Sequence, residues 1–262
     1  MEYVKNNKLI IFCIVVFVII LTLLVANVVA VVYNGKSVAA PEIPRAATTI
    51  GEGAELNYLI LGDSTSIAQG GDYDQGFAVN TAENLSRNHK VTYRNFGVSG
   101  ARIADVANDQ LQRSNDFKPD IVLIAVGAND VTHLSNIGNM KTEMLHIINT
   151  LRERNNNVKI VFTGAASMGD VKRFIQPFKW FLGQQTKNVN AAFEQIAKEN
   201  NASFAYIARE TGEEFASNPK LFAQDKFHPN NEGYSVWSKV LNRVIDNSIN
   251  KNNNSSDAMD KL

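Results

Sequence analysis

The chain is poor in the residues on which many functions depend. Its single cysteine, Cys13, sits inside an apolar run, so the rest of the 262 residues offers no disulfide and no thiol for metal binding or catalysis. Cysteine-protease chemistry and cysteine-ligated zinc are thereby excluded. Neither charge is in excess, with 26 Lys plus Arg against 26 Asp plus Glu. Proteins that grip phosphate backbones carry surplus cations, so nucleic acid is not an expected partner. The phosphate-binding patterns G-x-x-x-x-G-K and G-x-G-x-x-G are missing, which removes most support for a nucleotide ligand. The four histidines form no cluster with Asp and Glu at ligand spacing, so neither a catalytic metal nor a cofactor is expected.

What the chain does have is unevenly placed. Leu9 to Tyr33 holds no charged residue, and at 1.5 Å per residue it would span roughly 37 Å, more than the ~30 Å hydrocarbon core of a bilayer. It reads as one transmembrane helix (9–33) behind a short positive cytoplasmic N-terminus (1–8), which places the remainder outside the cytoplasm. A cleaved signal peptide ending at Ala30 is the rival, although its apolar region is usually ~7 to 15 residues. Residues 34–55 combine prolines, glycines and small residues without apolar periodicity and read as a flexible linker; 250–262 are polar and low in complexity and read as a disordered tail. Residues 56–249, roughly 200 residues, suffice for one domain with a full core. Asn84-Leu-Ser and Asn201-Ala-Ser match the glycosylation sequon, a pattern that also arises by chance.

Within that domain, strand-like runs at 56–61, 91–98, 120–127, 158–164 and 202–208 alternate with segments whose apolar residues recur at three and four. Such alternation specifies an α/β fold, a parallel sheet with helices on both faces. The expected architecture is a flavodoxin-like three-layer α/β/α sandwich with a five-stranded parallel sheet in the order 2-1-3-4-5. Ligands in such sheets bind beyond the carboxyl ends of the strands, where the order reverses. The loops there read Gly62-Asp63-Ser64-Thr65, Val98-Ser99-Gly100-Ala101 and Gly127-Ala128-Asn129-Asp130.

Acyl transfer needs a nucleophile, a base, a group to orient the base and donors for a developing oxyanion. Ser64 lies just after the first strand, Gly100 leaves its N–H open to close approach, and Asn129 carries a side-chain donor. Asp225-Lys226-Phe227-His228 puts a carboxylate three residues before an imidazole on one loop, so Asp225 can hold one ring nitrogen while the other takes a proton from Ser64. Each piece alone has a bland reading as a turn, a helix cap or surface, but their joint occurrence on one sheet edge is hard to obtain by accident.

YLILGDSTS, NFGVSGARIADV, VGAND and DKFHPNNEGYSVWS resemble, in that order, the four blocks of the SGNH (GDSL-type) serine hydrolases, over about Leu56 to Ile249. The resemblance implies Ser64 as nucleophile, Gly100 and Asn129 with the Ser64 N–H as oxyanion hole, His228 as base and Asp225 as its orienter. Thr65 stands where the family's popular name has leucine, a common variant. GANDVTH is similar to a bacterial subset of small esterases and lipases. Rivals inside the chain are weaker. Ser167, in Ala165-Ala166-Ser167-Met168-Gly169, only loosely imitates a G-x-S-x-G elbow. Ser99 is explained by the turn that exposes Gly100, and His133, His89 and His146 read as structural or surface residues. The aromatic segment around Pro177, from Phe174 to Leu182, is expected in the core rather than as an acyl-binding wall. The expected activity is hydrolysis of carboxylic ester bonds in a lipid, an acylated sugar or another small ester by a membrane-anchored extracytoplasmic serine esterase that uses no cofactor. An O-acyltransferase acting on cell-surface carbohydrate, or a surface binding module without catalysis, is the alternative.

Overall fold

A computed structural model describes residues 2–34 and 36–259. Helix α1 (Glu2–Asn34) stands at the N-terminus. There follow β1 (Thr48–Ile50), β2 (Ala54–Gly62), α2 (Phe77–Leu85) and β3 (His89–Asn95). Next come α3 (Ile103–Asp105), a wide π turn at Val106–Gln110, α4 (Leu111–Arg113), β4 (Ile121–Ala125), α5 (Ala128–Thr132) and α6 (Ile137–Arg154). The chain closes with β5 (Lys159–Phe162), α7 (Phe178–Glu199), β6 (Ser203–Phe204), α8 (Ile207–Ser217) and α9 (Asn231–Met259).

The sheet order is β1-β3-β2-β4-β5-β6, with every pairing parallel except β1 to β3. The five expected strands therefore lie in the expected order, and the correction is a sixth, antiparallel strand on the outer edge. It comes from 34–55, the stretch read as linker. Two threonines and an isoleucine suit a pleated edge, and the hydroxyls of Thr49 and Thr92 meet at 3.0 Å across the pair. The carboxyl end of the chain differs too: α9 runs to Met259, through most of the stretch read as a tail, and 260–262 lie outside the described residues.

Strand β2 shows why the parallel strands read as continuous apolar runs. Leu59 and Leu61 pack on one face with Met144, Ile148 and Phe193 from α6 and α7, whereas Tyr58 and Ile60 pack on the other with Phe77, Tyr234 and Leu241 from α2 and α9. All these side chains are essentially removed from water, and each contributes roughly 1.5–3 kcal/mol by burial. The register aligns Gly62 of β2 with Ala125 of β4, and the next residues leave the sheet on one edge. Phe96 and Val98 stay tethered there by N–H bonds to the carbonyls of Ile60 and Gly62. That edge collects the loops with polar residues. Helix α1 includes a 27-residue stretch, Asn7–Tyr33, that is long and apolar enough to cross a membrane, its most apolar 18 residues having a mean hydropathy of 3.5. Its side chains from Leu9 to Val25 are exposed.

Candidate active site

Ser64 follows β2 in a turn that admits no side chain at Gly62, because a Cβ there would lie 2.1 Å from the Ala125 carbonyl. Gln110, fully buried in the π turn, clamps this point: its amide accepts from the Gly62 N–H and donates to the Gly62 carbonyl, both at 2.8 Å. The neighbouring Asp63 accepts from the Thr65 N–H at 2.8 Å and its hydroxyl at 2.7 Å. Burial pushes the Asp63 carboxyl up to about 6, although both Thr65 bonds pull it down.

Ser64 is almost buried, and its Oγ lies 2.9 Å from Nε2 of His228. Nδ1 of the same ring lies 2.6 Å from Asp225. The other Asp225 oxygen accepts the N–H groups of Phe227 and His228, each at 3.0 Å, so the loop itself fixes the carboxylate. Burial of Asp225 works to raise its pKa, but the bonds from the His228 ring and from these two amides outweigh it and hold the carboxyl below the usual value. Asn230 caps α9 immediately behind, accepting the Gly233 N–H at 3.0 Å. Residues more than 160 apart in sequence thus meet within one hydrogen-bonded chain.

Gly100 has φ of +85°, and nothing lies within 4 Å of where its Cβ would be. This backbone region disfavours other residues, and here it leaves the amide open. Asn129, at the start of α5, donates one Nδ2 proton to the Ala101 carbonyl at 3.0 Å, which leaves the second proton available. Neither the Ser64 nor the Gly100 N–H has a protein acceptor among the described residues. The arrangement thus gathers a hydroxyl, an imidazole able to take its proton, an ionised carboxylate to orient the ring, and three donors with capacity to spare.

Supporting residues that motif reading passed over are Gln110, Asp130 and Gln69. Buried Asp130 accepts the Ile103 N–H at 3.1 Å, which joins the Gly100 loop to α5. Gln69 accepts the Ser99 hydroxyl at 2.6 Å and donates to the Val38 carbonyl at 2.9 Å. Its own carbonyl takes the Tyr234 hydroxyl at 2.7 Å. These contacts span 27 to 165 positions, so no local pattern could announce them. Ser99 therefore does more than shape a turn.

The other candidates fall elsewhere. Ser167 donates to Asp170 in a short bond and has no histidine partner. His133 closes α5 with its ring on the Asn129 carbonyl at 2.8 Å, His89 lies 3.3 Å from the Leu85 carbonyl, and His146 is exposed on α6. No group of His, Cys, Asp and Glu able to hold a metal occurs among the described residues. The aromatic segment divides: Leu182 is fully buried, Phe174, Phe178 and Phe181 pack half-buried against the core, and Trp180 is 62% exposed. Phe178 to Leu182 form the first turn of α7. A concavity of about 670 Å³ lies between Trp180 and Tyr206 and is not lined by Ser64, Asp225 or His228. A cavity of about 30 Å³ lies beside Thr65 and His228.

The profile of the GDSL-like Lipase/Acylhydrolase family matches residues 60–236. No curated protein matches the chain in sequence. Several solved structures share the fold. TesA superposes with a TM-score of 0.60 at 16% identity, covering 73% of this chain and 99% of its own. The psychrotrophic esterase EstA from Pseudoalteromonas sp. gives 0.59 at 19%, covering 74% and 98%. The acetylxylan esterase Axe2 from Geobacillus stearothermophilus gives 0.58 at 20%, covering 75% and 96%.

Proposed function

Since the chain belongs to the GDSL-like lipase/acylhydrolase family and is a serine hydrolase, we propose that it hydrolyses carboxylic esters through an acyl-enzyme on Ser64. The observation that carries this reading is the continuous chain from Ser64 Oγ through His228 to Asp225, at 2.9 and 2.6 Å. With Asp225 ionised, Nδ1 carries the proton and Nε2 accepts from the serine hydroxyl. As Ser64 attacks the ester carbonyl, His228 takes its proton and the new oxyanion receives the N–H groups of Ser64 and Gly100 and the free Asn129 proton. His228 returns the proton to the departing alcohol. His228 then takes a proton from the water that attacks the acyl carbonyl and delivers it to Ser64 Oγ as the acyl–Oγ bond breaks and the acid leaves. Each step is general acid–base chemistry by one imidazole, and no cofactor is required.

The substrate class we favour is the carboxylic ester of a lipid, an acylated sugar or another small molecule. Helix α1 serves in this reading as a retained anchor that holds the catalytic domain outside the cytoplasm, on a linker formed by 34–47. Labelling the full chain with a fluorophosphonate and sequencing the labelled peptide by mass spectrometry tests the nucleophile. The expected site is Ser64; a label on Ser167 would refute the assignment. A series of p-nitrophenyl esters from acetate to palmitate then defines the acyl group.

A further inference from the structure

We propose that Lys172–Phe181 is a lipid-docking surface that seats the catalytic domain on the bilayer at the foot of α1, with the catalytic loop directly behind it. The proposal rests on reading α1 as a retained anchor. A ~30 Å hydrocarbon core accommodates about 20 helical residues. Counted from Leu9, the first residue after Lys8, the core ends near Asn27 and Val28. The remaining apolar residues to Tyr33 then stand at headgroup level.

The contacts of α1 change at that depth. Side chains from Leu9 to Val25 are exposed, whereas Asn27 is only 7% exposed, and its Oδ1 accepts the Ile175 N–H at 3.3 Å. The domain therefore meets the helix where the lipid tails give way to headgroups. What it presents there has the composition of an interfacial segment. Lys172, Arg173 and Lys179 interleave with Phe174, Phe178 and Trp180, and no acidic residue intervenes. Tryptophan favours the headgroup level, long basic side chains reach from apolar surroundings to lipid phosphates, and cations are drawn to anionic leaflets. Trp180 is the most exposed large apolar side chain among the described residues of the catalytic domain.

The same segment is tied to the catalytic loop. The Arg173 N–H donates to the Lys226 carbonyl at 3.0 Å. Phe174 packs edge-on against Phe227 at 6.1 Å between ring centres, and Phe227 packs against His228 at 4.9 Å. Seating the segment in the headgroups therefore brings the loop with Asp225 and His228 to the lipid surface.

The two tryptophans provide the test, because Trp237 is only 5% exposed and W180F leaves it as the sole tryptophan, read by excitation on the red edge where tyrosine does not absorb. The full chain is reconstituted into vesicles of phosphatidylcholine and phosphatidylglycerol that carry a spin label either at the headgroup or at the acyl-chain terminus. Trp180 emission is expected to shift to the blue and to be lost more with the headgroup label than with the terminal one. The W180F chain should keep its emission with both. A carbonate wash on the same vesicles separates the two readings. Release of the chain would overturn the anchor and the docking with it; retention with Trp180 unquenched would overturn the docking alone, as would stronger quenching by the terminal label.

Discussion

Two turns on the same sheet edge, one after β2 and one after β5, each present a serine, and they have opposite chemical fates. In the first, Ser64 meets an imidazole, and its N–H, like that of Gly100 in the neighbouring loop after β3, has no acceptor among the described residues. In the second, Ser167 is bonded to Asp170, the Ala165 N–H is taken by Asn190 at 2.8 Å, and the Met168 N–H reaches the Thr186 hydroxyl at 3.3 Å. The second turn commits its serine hydroxyl and two of its amides to internal partners and offers no imidazole to the serine. The first leaves donors open and buries Asp63 where ionisation is unfavourable. Sites for chemistry are recognised by such incomplete satisfaction, held in place by buried neighbours such as Gln110 and Asp130.

Exchanging each serine for alanine breaks the comparison most severely. Ser64→Ala should lower kcat/KM by at least about 10⁴-fold with an unchanged circular dichroism spectrum, and His228→Ala should be comparable. Ser167→Ala should leave the rate within a factor of a few. Equal losses for the two serines would show that the turns are not chemically distinct.

Removing one open donor is the next step. Asn129→Ala should reduce kcat by ~10² to 10³ with little change in KM, because the bond strengthens only as the oxyanion forms. A KM effect with kcat intact would reassign Asn129 to substrate binding.

The electrostatic side of the comparison is sharpened by pH. The Asp63 carboxyl, raised by burial from 3.8 to about 6, is stabilising when protonated; that contribution is complete below 3.8 and is lost as pH rises through about 6. Two units correspond to about 3 kcal/mol at most. Denaturant midpoints should therefore show Asp63→Asn gaining on the parent chain between about pH 4 and pH 8. Parallel pH profiles would count against an unfavourable buried charge. Asp225 carries the opposite sign: its folded-state pKa is lowered, so its contribution is present above 3.8 and is lost as pH falls below that value.

The smallest effect is expected at Gln69. Gln69→Ala removes the acceptor for Ser99 and should lower kcat by about tenfold, the worth of one hydrogen bond felt through the oxyanion loop. Gln69→Glu keeps that acceptor while losing the donor to Val38, and should restore most of the rate. If the two variants behave alike, the bond to Ser99 does not position the loop.

The sequence by itself determined the apolar span at 9–33, the alternation of five parallel strands with helices, and the short motifs around Ser64, Gly100, Asn129 and Asp225–His228. Each is written in neighbouring residues: a period of two or 3.6, a glycine where a turn needs one, a carboxylate three places before its imidazole. Tertiary structure alone decided the rest. Thr48–Ile50 is β-branched but too short for an alternating pattern to mark it out from its proline- and glycine-rich surroundings, and it became a strand because β3 offered an unpaired edge. The helix at Ile207–Ser217 lacks a clear cap and is held by burying Ile207 and Phe215 against α9. Gln110, Asp130 and Gln69 act on groups 27 to 48 residues away or further, and Trp180 is left exposed while Leu182, two residues on, is fully buried. Short-range patterns report backbone preference and which face is apolar; which polar groups find partners is settled only when distant segments close around them.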